Sequence, residues 1–179
     1  MKTSSVVFLA ILGFALTVPT TRAEDEQKQM AADVKQAIEA FQSADSGMKK
    51  LFESAQGYVV FPNVGKGGLV FGGAHGNGLV FEKGKLIGKA SLTAVTVGAQ
   101  IGGQAFSEVI FFENTNALAQ FKESKLEMSA QLSAVAAAEG ASQNAKYVSG
   151  VMIFTKVKSG LMAEASVGGQ KFKFEAIKE

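Results

Sequence analysis

Residues 58–81 read YVVFPNVGKGGLVFGGAHGNGLVF. Three short runs of β-branched and aromatic residues stand out, Tyr58-Val59-Val60-Phe61, Leu69-Val70-Phe71 and Leu79-Val80-Phe81, and glycine-rich segments separate them. Short apolar runs bounded by Gly, Pro and Asn are the grammar of strands. Pro62 is expected to stop the first run, because its nitrogen has no hydrogen to give to a ladder. The segment from Gly72 to Gly78 supplies residues tolerant of positive φ and is expected to be a hairpin turn, with Glu82-Lys83-Gly84-Lys85 as the next one. Strands joined in this way make an antiparallel meander.

The same pattern continues downstream. From Leu92 to Ile101, Val95, Val97, Ala99 and Ile101 alternate with Thr96, Gly98 and Gln100, which predicts a long strand with one apolar face. Gly102-Gly103 marks a bulge, Phe106 to Phe112 resumes the sheet, and Asn114 or Thr115 caps a short crossover helix through Phe121. Between Lys122 and Ala138 the periods conflict: Met128, Leu132 and Val135 fit a helix, whereas Leu132, Ala134 and Ala136 fit a strand, and propensity favours helix. Val148 to Phe154, Leu161 to Val167 and Lys171 to Phe174 read as three more strands, turning at Ser159-Gly160 and Gly168-Gly169. Gly102-Gly103-Gln104-Ala105-Phe106 is echoed by Gly168-Gly169-Gln170-Lys171-Phe172, a repeat of turn chemistry too short for a solenoid.

Upstream, Met30, Val34, Ala37 and Phe41 recur at helical spacing, with Lys28 and Lys35 on the opposite face. Ser43 to Gly47 breaks the pattern, and Met48, Leu51 and Phe52 predict a second short helix carrying Lys49 and Lys50. Ahead of these lie Lys2, an apolar run from Val6 to Leu16, and Thr21-Arg22-Ala23, together the layout of a secretory signal cleaved after Ala23. The apolar run is well short of the ~20 residues that a membrane-spanning helix requires. The expected localisation is therefore outside the cytoplasm, in the periplasm or cell envelope. The whole chain of 179 residues carries a net charge of +2. Loss of residues 1–23 removes Lys2 and Arg22, leaving sixteen lysines against sixteen acids. A neutral domain has no electrostatic footprint for nucleic acid.

Catalytic chemistry finds few footholds. With no cysteine there is no thiol, disulfide or lipidated anchor, and Arg22 is the sole arginine. His75 is the sole histidine, so a metal site has no neighbouring imidazole or thiolate, and no Gly-x-Ser-x-Gly elbow offers a nucleophile. The glycine cluster beginning at Gly65-Lys66-Gly67-Gly68 contains no GxGxxG, and Gly78 to Lys85 misses the phosphate-loop spacing. Glu108, Glu113 and Glu164 fall in or beside strands, where burial raises a carboxyl's pKa, but they are expected to be solvent-facing members of alternating strands. Fourteen phenylalanines against two tyrosines and no tryptophan point to core packing. Phe71 and Phe81, placed near hairpin tips, are the candidates for contact with a lipid surface. The expectation is a protein with no catalytic residue, no metal and no cofactor.

Tyr58 to Gly78 resembles the opening of the SYLF domain, also called the Ysc84-type domain. Ala90-Ser91-Leu92-Thr93, the run from Val97 to Glu108, and the run from Gly160 to Gln170 are similar to its later blocks, in family order from about Met30 to Glu175. The resemblance implies a lipid-binding domain with flanking helices, and it implies strand rather than helix for Ser129 to Gly140. The expected fold is thus α+β and β-rich: an antiparallel sheet or barrel-like meander with N-terminal helices and one short crossover helix. Residues 24–56 form the helices and 57–179 the β-rich core of a single domain. Eukaryotic members are associated with phosphoinositide membranes and some with actin. Without arginine, multiply phosphorylated headgroups lose their bidentate partner, and an exported chain does not meet actin filaments. The expected partner is phospholipid or a membrane surface, with Lys28, Lys35, Lys49, Lys50, Lys66, Lys83, Lys85 and Lys89 as candidate contacts beside Phe71 and Phe81.

Overall fold

The structure, a computed structural model, describes residues 20–68, 71–97, 103–126, 134–159 and 169–177. Helix α1 (Thr20–Ala44) and helix α2 (Met48–Ser54) precede four strands, β1 (Gly57–Gly68), β2 (Phe71–Glu82), β3 (Lys85–Val97) and β4 (Gln104–Phe112). Helix α3 (Thr115–Lys122), the two-residue strand β5 (Val135–Ala136) and the single turn α4 (Ala141–Asn144) lead to β6 (Val151–Ser159) and β7 (Gln170–Ala176). All seven strands form one sheet in the order β5-β6-β4-β1-β2-β3-β7, antiparallel except for the β5–β6 pair.

Two expectations about the decisive stretch are corrected. Pro62 does not stop β1. It sits at a bulge where the registers with β2 and β4 both shift, and its carbonyl accepts a hydrogen bond from Ser107 Oγ at 2.8 Å. The bulge absorbs the missing donor and also reverses the alternation: Val59 and Phe61 face one core before it, and Val64 faces the same core after it. Nor is Gly72 to Gly78 a turn. It is the interior of β2, with His75 opposite Gly65 on one side and Thr93 on the other. A Cβ at Gly78 would run into the carbonyl of Val60 and the ring of Phe61, so glycine is needed there for close approach and not for positive φ. Leu69 and Val70 lie outside the described residues. The next hairpin is where the sequence puts it, with Lys83 (φ 49°) and Gly84 (φ 77°) supplying the two left-handed residues of the tight β2–β3 turn.

Other elements need smaller corrections. Helix α3 is capped as expected, Asn114 Oδ1 accepting from the Ala117 amide at 3.0 Å. Strand β6 begins at Val151 rather than at Val148, which makes only an isolated bridge to Val151 across the turn. Within the described part of Ser129 to Gly140, strand is confined to Val135 and Ala136, and α4 follows where no helix was predicted. The expected strand Leu161 to Val167, the far end of the strand expected to reach Ile101 and the expected secretory signal up to Pro19 lie outside the described residues.

The sheet is strongly curled, so each face buries a different core. On the concave side Val59, Phe61, Val64, Leu92, Phe106, Ile110, Phe112, Val151, Ile153 and Phe172 pack beneath Leu118 and Phe121 of α3. The curl brings β7 over the middle of the sheet: the ring of Phe172 lies 5.9 Å from that of Phe61 and 5.4 Å from that of Phe121. On the convex side Val34, Ala37 and Phe41 of α1 and Met48 and Phe52 of α2 cover Tyr58, Val60, Leu79, Val109, Phe111, Met152 and Phe154. The apolar stripe read from α1 is thus the face it buries.

Candidate functional site

The N-terminal half of α1 runs past the covered part of the convex face and stands over β2, β3 and β7, leaving a groove of about 360 Å³. Glu26, Gln27 and Met30 line it from α1, Asn77 from β2, Lys89 and Ser91 from β3, and Lys173 and Glu175 from β7. Alternation produces this wall: Lys89 is opposite Glu175 and Ser91 opposite Lys173 in the β3–β7 register, while Phe172 and Gln170 turn to the concave core. Lys173 Nζ lies 2.7 Å from Glu175 Oε1, and both are well exposed. Each raises the other's preference for charge: the hydrogen bond and then the charge of Lys173 hold the Glu175 carboxyl below its ordinary range, with a smaller pull from Lys89. Two lysines and two glutamates leave the groove without net charge. It therefore offers both signs, amide and hydroxyl hydrogen-bonding groups and the apolar thioether of Met30 side by side.

A polar strap fixes α1 beside this groove. Gln29 Nε2 donates to Asp33 Oδ1 at 2.8 Å, Asn63 Nδ2 reaches Asp33 Oδ2 at 3.5 Å, and Lys158 Nζ donates to Asn63 Oδ1 at 2.7 Å. Asn63 is free to do this because the bulge beside Pro62 turns it to the surface.

Of the candidate lysines, the groove takes in Lys89 alone. Lys28 and Lys35 are exposed on α1, the latter 3.9 Å from Glu39, and Lys49 and Lys50 are exposed on α2. Lys83 lies in the β2–β3 turn and Lys85 follows it, and Lys66 is half-buried near the end of β1 opposite Gln104 and Ala74. Phe81 is half-buried, with its ring stacked on Tyr58 at 4.9 Å, so its surface is engaged in the convex core. Phe71 opens β2 opposite Val97, and its side chain lies outside the described residues. Lys173 and Glu175 were not anticipated. The alternation Lys171-Phe172-Lys173-Phe174-Glu175 carried their signal, since it puts three charged residues on one face of a strand.

The carboxylates separate sharply. Glu113 is exposed as expected and Glu164 lies outside the described residues. Glu108, expected at the surface, is fully buried on the concave side, because Phe106, Glu108, Ile110 and Phe112 share the inward face of β4. Gln170 Nε2 donates to its Oε2 at 2.9 Å. Burial pushes the Glu108 carboxyl up to about 7, against a smaller downward pull from the Gln170 hydrogen bond. Among the described residues, no cluster of three or more His, Asp or Glu side chains is arranged to hold a metal, and no helix is long and apolar enough to cross a membrane.

A curled antiparallel sheet, filled on its concave side and backed by an amphipathic N-terminal helix, defines the protein as an α+β domain of β-rich type. Residues 93–176 match the sequence profile of the Ysc84 family, described as Las17-binding protein actin regulator. These residues are thus similar to the family's domain, which is also called SYLF. Beta cell expansion factor A of Aeromonas veronii is 30% identical over 127 residues, covering 69% of this chain. The matched region spans 48% of that relative, about half its length.

Proposed function

We propose that this is an exported, non-catalytic protein that binds phospholipid at a membrane surface, with the groove between α1 and the β2-β3-β7 face receiving the headgroup. The observation that carries the reading is the composition of that groove: Lys89 and Lys173 beside Glu26 and Glu175, over Met30. A headgroup that itself bears a phosphate and an ammonium finds a partner for each, and the acyl region meets the apolar side chain. The secretory character of residues 1–23 and the likeness of residues 93–176 to the SYLF domain support the same reading. With a neutral mature chain, attachment depends on apolar contact more than on long-range attraction, so it tolerates salt better than a polybasic surface does.

Co-sedimentation with vesicles tests this. The chain from Glu24 onward is expected to pellet with phosphatidylcholine/phosphatidylethanolamine vesicles, with only modest loss as salt is raised. The Lys89→Glu, Lys173→Glu double variant is expected to bind about tenfold more weakly while keeping its far-UV circular dichroism. Protein remaining in the supernatant with zwitterionic and anionic vesicles alike, at low salt, overturns the proposal.

A second reading rests on β7. Among the described residues β7 pairs with no strand but β3, and on that strand only the Phe174 amide has a side-chain partner, Ser124 Oγ at 3.4 Å, which leaves room for a strand from a partner or a second copy. Lys171 and Lys173 on that strand are the charges that natural edges use to discourage such pairing, which favours the lipid reading. A lipid-free oligomer in size-exclusion chromatography with light scattering would reverse the preference.

A further inference from the structure

Glu108 and Gln170 meet across the concave core although three strands separate β4 from β7 in the sheet. Glu108 has no exposed surface and Gln170 is 4% exposed. One hydrogen bond joins them, and the remaining oxygens, Glu108 Oε1 and Gln170 Oε1, are buried with no hydrogen-bond partner. Two orphaned acceptors in one buried pair lack a single donor. A proton on Glu108 Oε1 would supply it: the acid O–H would donate to the amide oxygen while the amide N–H donates to the other acid oxygen, and one atom would satisfy both orphans.

We propose that Glu108 and Gln170 form a proton-dependent latch: with Glu108 protonated, the acid–amide pair holds the start of β7 against the concave face, and ionisation of Glu108 releases it. The surroundings offer an ionised Glu108 no cation. Phe61 and Val64 of β1, Thr155 of β6 and Phe172 of β7 share its face of the sheet, and no charged group contributes to its titration. Lys66, on the same face of β1, stands further along opposite Gln104, while Lys156, Lys171 and Lys173 alternate to the other face. Strand β7 is the element that gives way, since among the described residues β3 alone hydrogen-bonds it into the sheet.

The sign follows from linkage. The folded carboxyl titrates at about 7 against an ordinary 4.5, so the folded state holds a proton that the unfolded state gives up between those values. The latch is fully made below 4.5 and is lost as pH rises to about 7, by a factor of about ten per pH unit and about three-hundredfold in all.

Hydrogen exchange on the full chain, corrected for intrinsic rates, tests the latch. From about pH 5 to about pH 8 the amides of residues 170–176 are expected to lose protection relative to those of β1, by at least about tenfold. Glu108→Gln keeps both hydrogen bonds at every pH, so its β7 protection is expected to stay constant over the same range. The unsubstituted protein also gives an answer alone: the side-chain carboxyl ¹³C resonance of Glu108 should titrate near neutrality, with β7 amide shifts following the same midpoint. A carboxyl titrating in the ordinary range, β7 protection that does not change with pH, or an equal loss in Glu108→Gln overturns the proposal.

Discussion

Gly78 shows how one missing side chain sets the shape of the sheet. Its position faces β1 where the bulge at Pro62 pushes backbone toward it, and a methyl group there would contact the Val60 carbonyl and the Phe61 ring. Gly73, in the same strand, has only the Ala94 carbonyl near its would-be Cβ, at an ordinary 3.6 Å. Neither has the left-handed backbone of a turn glycine. Gly78→Ala is therefore expected to cost about 1–3 kcal/mol by overpacking, and Gly73→Ala less than about 0.5 kcal/mol, both read from urea unfolding. Equal effects at the two positions would mean that close approach is not what selects glycine. Glu108 makes the complementary point, since a polar residue within an apolar strand is placed by register. Burial on the inward face of β4 then gives it a titration that its type alone does not.

Among the elements, the junction of α1 and α2 is held by Asp45, which has no exposed surface. Its carboxylate accepts from the Gly47 amide at 2.9 Å and from the Ser142 amide at 2.6 Å, so a residue at the end of α1 pins α4, nearly a hundred positions later. Burial alone would raise this carboxyl, but the hydrogen bonds from Ser142, Gly47 and Gly140 outweigh it and hold it below its ordinary 3.8. A lowered folded value means the contribution is fully present above 3.8 and is lost as pH falls below it. Asp45→Asn is expected to lower stability at neutral pH by about 1–3 kcal/mol and to blunt the acid-induced loss, as measured by thermal unfolding at pH 7 and across the acid range. Nothing in the sequence announced this tie, because its partners are backbone amides, and one of them, Ser142, lies in a turn of helix that no pattern marked. The apolar stripe of α1, the cap at Asn114 and the β-branched runs were legible, since each depends on neighbours within one turn or one strand. Gly72 to Gly78 was not: glycine serves either positive φ or lack of room, and room is decided by the partner strand. The groove had the same limitation, with one wall readable in Lys171 to Glu175 and the other brought from residues 26–30 by the packing of α1.

At the scale of the whole molecule one sheet serves two cores, so the concave and convex sides share their backbone. Tyr58 and Val60 face the helices while Val59 and Phe61 face α3, and the same interleaving holds in β4 for Val109 and Phe111 against Ile110 and Phe112. Loss of packing on either face loosens strands that the other needs, which makes the two cores one cooperative unit. Helix α1 is then a fixed wall of the groove, unlike an appendage that folds down only on a membrane. Phe41, fully buried at the heart of the convex core, reports on this. Phe41→Ala is expected to lower stability by about 3–5 kcal/mol, and Phe121→Ala, on the other side of the sheet, by a similar amount. In both variants, circular dichroism and the near-ultraviolet signal of Tyr58 and Tyr147 should unfold in one transition with a shared midpoint. If α1 were an independent element, Phe41→Ala would instead detach the helix at low urea and leave the sheet to melt where it does in the parent. A second transition in that variant would move the binding proposal from a preformed groove to a helix that folds onto lipid.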